Sequence, residues 1–384
     1  MVLSLSWRIL MSVNARSVSP AKPPPHAGRY GKPQLHARGS SRPGDGPGVP
    51  GSEFLGQPPD TTRSPEHDLQ ILYVAGIPRT GSTVLGQLLS NVPGVTFVGE
   101  LNFFWRRFAR AEVCSCGQPL PACPFWSAVV REAYGELAPG QAEQLAELER
   151  HVLRRQFALT LAPAAWPVPD ASRAGRMLAE RAQLYQAIGR LTGAGWIIDA
   201  GKEPIFGALL ARSKAVAVGT IHLVRDPRAV AYSWQKLIPS DSEPGYMTRK
   251  AAGKTALHWV SQNLLVQLGL KRLGTTYVRV RYEDMASYPE QVLRRISLAT
   301  GLAIEAGAAT GGITLAPGDH HMVAGNPGVR RAASSGLQLR PDEAWRTKLP
   351  ARKQRIVTTV CCGLMTGYGY SLRTAKEVTP PGSR

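Results

Sequence analysis

The stretch QILYVAGIPRTGSTVLGQLLSNVPG, Gln70–Gly94, decides the fold. QILYVAG is a short apolar run that ends in glycine, the signature of a buried parallel strand. Gly76–Thr83, GIPRTGST, then has the Gly-x4-Gly spacing of a phosphate-binding loop, but Ser82 stands where nucleoside-triphosphate loops carry lysine. The fixed cation is Arg79 instead. Val84, Leu85, Leu88 and Leu89 recur at helical spacing, and Asn91 with Pro93 stops the helix. Strand, glycine-rich turn and helix together aim backbone N–H groups at whatever lies before the helix, which favours an anion. Thr80, Gly81, Ser82 and Thr83 add three hydroxyls and a close backbone approach. The plain alternative is a tight turn that holds no ligand. Without the lysine that neutralises β- and γ-phosphates, the loop is poorly suited to ATP.

Outward from this unit, strand-like runs recur at VTFVGE (ending at Glu100), GWIIDA (Gly195–Ala200), AVGTIHLVR (Ala217–Arg225) and TTYVRVRYED (Thr275–Asp284). Helical patterns fall at Ile205–Arg212, Lys254–Leu273, Pro289–Leu298 and Arg352–Tyr368. This alternation predicts an α/β fold, with a P-loop-like central parallel sheet flanked by helices on both faces. Between the second and third strands, Leu145, Leu148 and Val152 mark one helix, and Met177, Leu184, Ile188 and Leu191 another. Both stripes read as core. No internal repeat is present.

A second segment carries chemistry. In HLVRDPRAVAYSW, His222–Trp234, a strand ends at Arg225 and Asp226-Pro227 opens a helix. Ser233 lies eight residues beyond Arg225, about two helical turns. Arg225 therefore stands at the carboxyl end of a strand, where open parallel sheets place their ligands. A solvated arginine beside an ordinary helix cap is the competing reading.

Composition sets the boundaries. Lys and Arg number 46 against 27 acids in 384 residues, a net charge of +19. That excess suits a polyanionic ligand, and equally nucleic acid or an anionic membrane surface. No apolar run approaches the ~20 residues of a membrane span. Residues 1–67, rich in Pro, Gly, Ser and Arg, read as a disordered extension. Residues 68–373 read as one folded domain and 374–384 as a flexible tail. MVLSLSWRILMSV at the start lacks a small-residue cleavage site behind a proper apolar core, so a cytoplasmic location is expected. Five cysteines agree with a reducing compartment. Cys361 and Cys362 sit in an apolar stretch. Cys114, Cys116 and Cys123 form C-x-C-x6-C, which packing or a Cys116–Cys123 bridge explains more simply than zinc, since no fourth ligand stands nearby.

GIPRTGSTVL, HLVRDPRAVAYSW, VRYEDM and HHMVAGNPGVRR, in this order, resemble the sulfotransferases that use 3′-phosphoadenosine 5′-phosphosulfate (PAPS). The pattern is most similar to bacterial members and to the tyrosylprotein branch, and it spans about residues 69–373. The resemblance implies that the first loop binds the 5′-phosphosulfate, with Arg79 facing the oxygen that leaves with the nucleotide. It implies that Arg225 and Ser233 grip the 3′-phosphate. Gly325, Asn326 and either Arg330 or Arg331 would close over the same end of the donor. Glu100 matches the general base of the tyrosylprotein branch, and Lys202, in DAGKEP, the lysine over the reacting sulfuryl group. The competing readings are a glutamate paired with Arg106 and a solvated loop lysine. PAPS is then the co-substrate and a hydroxyl compound the acceptor, with neither metal nor nucleic acid expected. RYED, Arg281–Asp284, reads as structural, with a buried ion pair from Arg281. His320 or His321 either touches a substrate or is a loop histidine without a role. Phe103, Phe104, Trp105 and Trp126 would suit a sugar, phenol or lipid acceptor. The main alternative is a P-loop nucleotide kinase or NTPase, in which Asp199 at the end of GWIID would hold Mg²⁺. A third is a basic protein that binds polyanions.

Overall fold

The computed structural model describes residues 69–155, 160–162, 166–238, 248–273, 276–305, 321–325 and 341–373. The N-terminal extension (1–67), the tail (374–384), His320, Asn326, Arg330 and Arg331 lie outside the described residues.

Five parallel strands form the sheet: β1 (Gln70–Gly76), β2 (Val95–Gly99), β3 (Trp196–Lys202), β4 (Ala217–Val224) and β5 (Tyr277–Arg281). Their spatial order is β2-β3-β1-β4-β5. β1 is central and pairs with β3 on one side and β4 on the other, Gln70 facing both Trp196 and Ala217. From β1 the chain crosses to the edge strand β2, returns to β3 beside β1 and then passes to β4 and β5 on the other side, so the order switches at the carboxyl end of β1. That is where ligands enter sheets of this kind.

Period-2 alternation splits β1 between two cores. Ile71, Tyr73 and Ala75 face one, with Met177, Leu184 and Ile188 of helix Arg173–Thr192. Leu72 and Val74 face the other, with Leu85 and Leu88 of helix Ser82–Leu89 and Leu293 of helix Pro289–Thr300. Each such side chain fully buried is worth roughly 1.5–3 kcal/mol, so both faces of β1 are committed and its register is fixed. A third cluster, including Ile77, Val224, Trp259, Val357 and Met365, joins helices Ala252–Leu268 and Ala351–Gly367 beneath the β1 and β4 ends.

The α/β arrangement predicted from sequence is thus the one observed. Local readings need correction. TTYVRVRYED is strand only over Tyr277–Arg281, after which helix Tyr282–Ser287 begins. Leu191 is exposed near the end of its helix. Phe104, Trp105 and Trp126 are completely buried and pack on one another, with ring centroids 5.1 Å apart for Phe104–Trp105 and for Phe104–Trp126. These three are core, and only Phe103 keeps partial exposure, under the Arg106 guanidinium at 4.3 Å.

Candidate active site

The first loop closes on itself. Thr80 donates its hydroxyl to Ile77 O at 2.9 Å, and Gly81 turns the chain into the helix at φ +94. A side chain at Gly81 would be strained by that φ, and its Cβ would lie 2.5 Å from the Tyr282 ring. No side chain caps the helix; Ser82 and Thr83 are buried in its first turn. Arg79 itself has φ +79, a conformation that non-glycine residues adopt at a cost and that clusters at functional sites. Burial lowers the Arg79 pKa, and the negative charge of Glu100 partly offsets that. The cation predicted from one motif therefore senses the carboxylate predicted from another.

Arg225 meets the same loop. Its Nη1 donates to Arg79 O at 2.9 Å, and its guanidinium lies 4.3 Å from the Tyr282 ring centre. The Arg225 carbonyl accepts from Trp259 Nε1 at 3.0 Å, and Glu283 accepts the Asp226 N–H at 2.9 Å. Asp226 caps helix Pro227–Ser233 by accepting from Arg228 N at 2.8 Å. Ser233 ends that helix, and Trp234 beyond it lies between two cations: Arg79 at 5.3 Å and Lys250 at 4.2 Å from the ring centre. RYED is structural through Glu283, as the Asp226 contact illustrates. The ion pair expected of Arg281 is not buried: it reaches Asp284 at 3.9 Å with both side chains about a third exposed.

Glu100 follows β2 directly, and its Oε1 accepts from Lys202 Nζ at 2.5 Å. The glutamate is paired with Lys202, whereas Arg106 stacks on Phe103. Lys202 ends β3 opposite Ala75 and, like Arg79, has a positive φ, +67. Both cations selected from sequence are thus held in left-handed backbone at adjacent strand ends.

Three residues that organise the site escaped the sequence reading as positioning groups. Asp199 is fully buried; its Oδ1 accepts from Leu101 N at 3.2 Å and Gly201 N at 2.8 Å, and its Oδ2 accepts from Tyr185 OH at 2.5 Å. It therefore ties the residue after Glu100 to the residue before Lys202. Burial raises its pKa to about 6 despite these donors. With both oxygens engaged, Asp199 acts as a backbone anchor, a role different from the metal-holding one in the kinase reading. Arg181, also fully buried, donates to Leu101 O at 2.8 Å and pairs with Glu149. Asp342 accepts from Arg225 Nη2 at 2.9 Å and from Lys236 Nζ at 3.4 Å. Burial alone would raise the Asp342 pKa, yet Arg225 and Lys236 bring it below its ordinary value. A carboxylate thus lies against the arginine assigned to the donor's 3′-phosphate. No local motif flags a loop aspartate 117 residues from its partner.

Of the closing loop, Gly325 is described, at φ +104, two residues beyond Val323. Val323 N donates to Val98 O at 2.9 Å and Glu100 N donates to Val323 O at 2.8 Å, so this segment lies along β2 beside Glu100. Gly99 permits that approach: at φ +85, a Cβ there would come within 2.2 Å of Val323 O. His321 is turned to the three cysteines. Its Nδ1 lies 3.2 Å from Cys123 Sγ and 3.9 Å from Cys114 Sγ. Cys116 and Cys123 are free thiols with sulfurs 3.6 Å apart, so the expected bridge is not formed. A fourth potential ligand, unseen in the sequence pattern, is brought beside the three cysteines: His321, from about 200 residues away.

No protein-family model matches the chain. Among curated proteins it is similar to human carbohydrate sulfotransferase 6, 28% identical over 176 residues, and to mouse carbohydrate sulfotransferase 5, 29% identical over 178. Each match spans 41% of this chain and 42% of the relative, less than half the relative's length. Among solved structures, the sulfotransferase domain of the Synechococcus PCC 7002 olefin synthase aligns over 83% of this chain and all of that domain, at 19% identity and TM-score 0.43. The sulfotransferase domain of the curacin biosynthetic pathway aligns over 79% of this chain and 99% of that domain, at 18% identity and TM-score 0.43. Both curated proteins to which this chain is similar are carbohydrate sulfotransferases, and the similarity covers less than half of either sequence.

Proposed function

We propose that this chain transfers a sulfuryl group from PAPS to an acceptor hydroxyl. The observation that carries the reading is the 2.9 Å contact between Arg225 Nη1 and Arg79 O, which brings the two donor-binding motifs to one place. In this reading the first turn of helix Ser82–Leu89 and Arg79 receive the 5′-phosphosulfate. Arg225 and Ser233 receive the 3′-phosphate, which takes over Arg225 from Asp342. Gly325, Asn326 and Arg330 or Arg331 would cover that end.

Glu100 accepts the proton of the acceptor hydroxyl as its oxygen attacks sulfur. The bond from sulfur to the bridging oxygen breaks, and its electron pair leaves with the nucleotide, adenosine 3′,5′-bisphosphate. Arg79 and Lys202 stabilise negative charge on the leaving and equatorial oxygens. A sulfuryl group carries less negative charge than a phosphoryl group, so these fixed cations suffice for the chemical step without Mg²⁺. The acceptor is a hydroxyl compound. A sugar hydroxyl is the first class to test, because both curated relatives are named as carbohydrate sulfotransferases.

The test is incubation with labelled PAPS and a panel of glycans, phenols, lipids and tyrosyl peptides in magnesium-free buffer. Labelled acceptor is the expected result. Magnesium-dependent ATP hydrolysis with no transfer from PAPS would instead establish the kinase alternative. Equal competition by ADP and adenosine 3′,5′-bisphosphate, with no turnover, would establish a polyanion binder.

A further inference from the structure

We infer that Cys114, Cys116, Cys123 and His321 form a structural zinc site that fixes the segment beside Glu100. Their four ligand atoms all lie within 4.8 Å of one another. A tetrahedral zinc ion with Zn–S of about 2.3 Å and Zn–N of about 2.0–2.1 Å requires S···S edges of about 3.8 Å and S···N edges of about 3.6 Å. The separations are 3.6 Å for Cys116–Cys123, 3.9 Å for Cys114–His321 and 3.2 Å for Cys123–His321. Those edges enclose a single ion. A set of three thiolates and one imidazole selects zinc among the common ions, since magnesium and calcium require oxygen ligands.

The surroundings are built for it. Val113 and Pro119 pair across a small hairpin, within which Gly117 N donates to Cys114 O at 3.0 Å and Cys114 N to Gln118 O at 2.8 Å. This turn aims Cys114 and Cys116 to one side. Cys123 is the N-cap of helix Pro124–Tyr134, whose positive end favours a thiolate. Phe125 stacks on His321, with centroids 5.1 Å apart and planes at 13°, orienting the imidazole. Ser115 and Met322 bond twice across the seam, Ser115 N to Met322 O at 3.2 Å and Met322 N to Ser115 Oγ at 2.7 Å. All four ligands then offer one coordination set, and no position is left for a reacting group, as in structural rather than catalytic zinc.

Loading releases one proton from each thiol and none from neutral His321. The ion thereby ties the loop of residues 113–123 to residues 321–323. Those residues pair with β2 through Val98 and Glu100. The site is a positioning device for the base and for the chain that continues to Gly325, and it does not depend on which reaction Glu100 serves.

Metal content of the full chain, purified under reducing conditions without added metal, decides the matter. Equimolar zinc is expected, released stoichiometrically when the cysteines are titrated with a mercurial. Cobalt substitution is expected to give the intense visible absorption of tetrahedral thiolate coordination. Cys116→Ser and His321→Gln should abolish stoichiometric zinc, while Cys362→Ser, at an exposed position, should retain it. Folded wild-type protein without zinc that takes up neither zinc nor cobalt would overturn the inference. So would a Cys116–Cys123 disulfide in that reduced preparation, or zinc retained by both ligand variants. The wild-type measurements stand even if the variants fold poorly.

Discussion

Replacing Asp199 separates an anchoring carboxylate from a metal-holding one. In Asp199→Ala the N–H groups of Leu101 and Gly201 lose their buried acceptor. Each buried donor left unsatisfied costs roughly 1–3 kcal/mol, so the variant should lose roughly 2–6 kcal/mol of stability. Asp199→Asn keeps an oxygen for both N–H groups, and its amide donates to a Tyr185 hydroxyl that turns to accept. It also removes a buried charge. A pKa of about 6 in the fold against an ordinary 3.8 means that ionised Asp199 opposes folding by about 3 kcal/mol above pH 6. The sign follows from the raised pKa: the contribution is fully favourable below pH ~4 and is lost as pH rises through about 6. Denaturation curves should therefore show Asp199→Ala well below wild type at pH 4, with the gap narrowing by about 3 kcal/mol towards pH 8. Asp199→Asn should have a flatter profile between pH 4 and 6, close to wild type at pH 4 and above it by up to about 3 kcal/mol at pH 8. Turnover should fall sharply in Asp199→Ala, since displacement of a reacting group by ~1 Å costs about 10²-fold, and much less in Asp199→Asn. Equal loss of turnover in both variants, with both stably folded, would falsify the anchoring argument and restore a required charge at this position.

Glu100→Gln should lower turnover by about 10²–10⁴-fold while affinity for adenosine 3′,5′-bisphosphate, measured by calorimetry, stays close to wild type. An unchanged rate would remove Glu100 as the base. Arg225→Ala should weaken adenosine 3′,5′-bisphosphate far more than ADP, because only the former carries the 3′-phosphate. Parallel weakening of both ligands would place Arg225 elsewhere on the donor. Gly99→Ala forces a Cβ to within 2.2 Å of Val323 O at φ +85, so it should cost upwards of 1–3 kcal/mol. It should also raise the protease sensitivity of the 321–325 segment; a melting temperature equal to wild type would contradict the close approach.

Much of the architecture follows from local pattern. Apolar runs closed by glycine specified β1, and period-2 alternation committed its two faces to different cores. The Gly-x4-Gly turn and Arg225 could be placed at strand ends from local pattern, whereas Glu100 and Lys202 were singled out by resemblance and their pairing shows only in the structure. Such positions are fixed by a few neighbouring residues. The aromatic set Phe104, Trp105 and Trp126 was misassigned for the complementary reason: a large apolar side chain looks the same in a pocket lining and in a core until its neighbours are known.

Chain order alone therefore determined the parallel sheet and the glycine-bounded loop that follows its central strand. Tertiary structure decided the relations that span long sequence separations. It gave Asp199 its role of joining Leu101 to Gly201, set Asp342 against Arg225, and delivered His321 to the three cysteines. Each of these depends on where a distant backbone segment passes, and that is fixed by burial of whole helices rather than by any motif in which the residue lies.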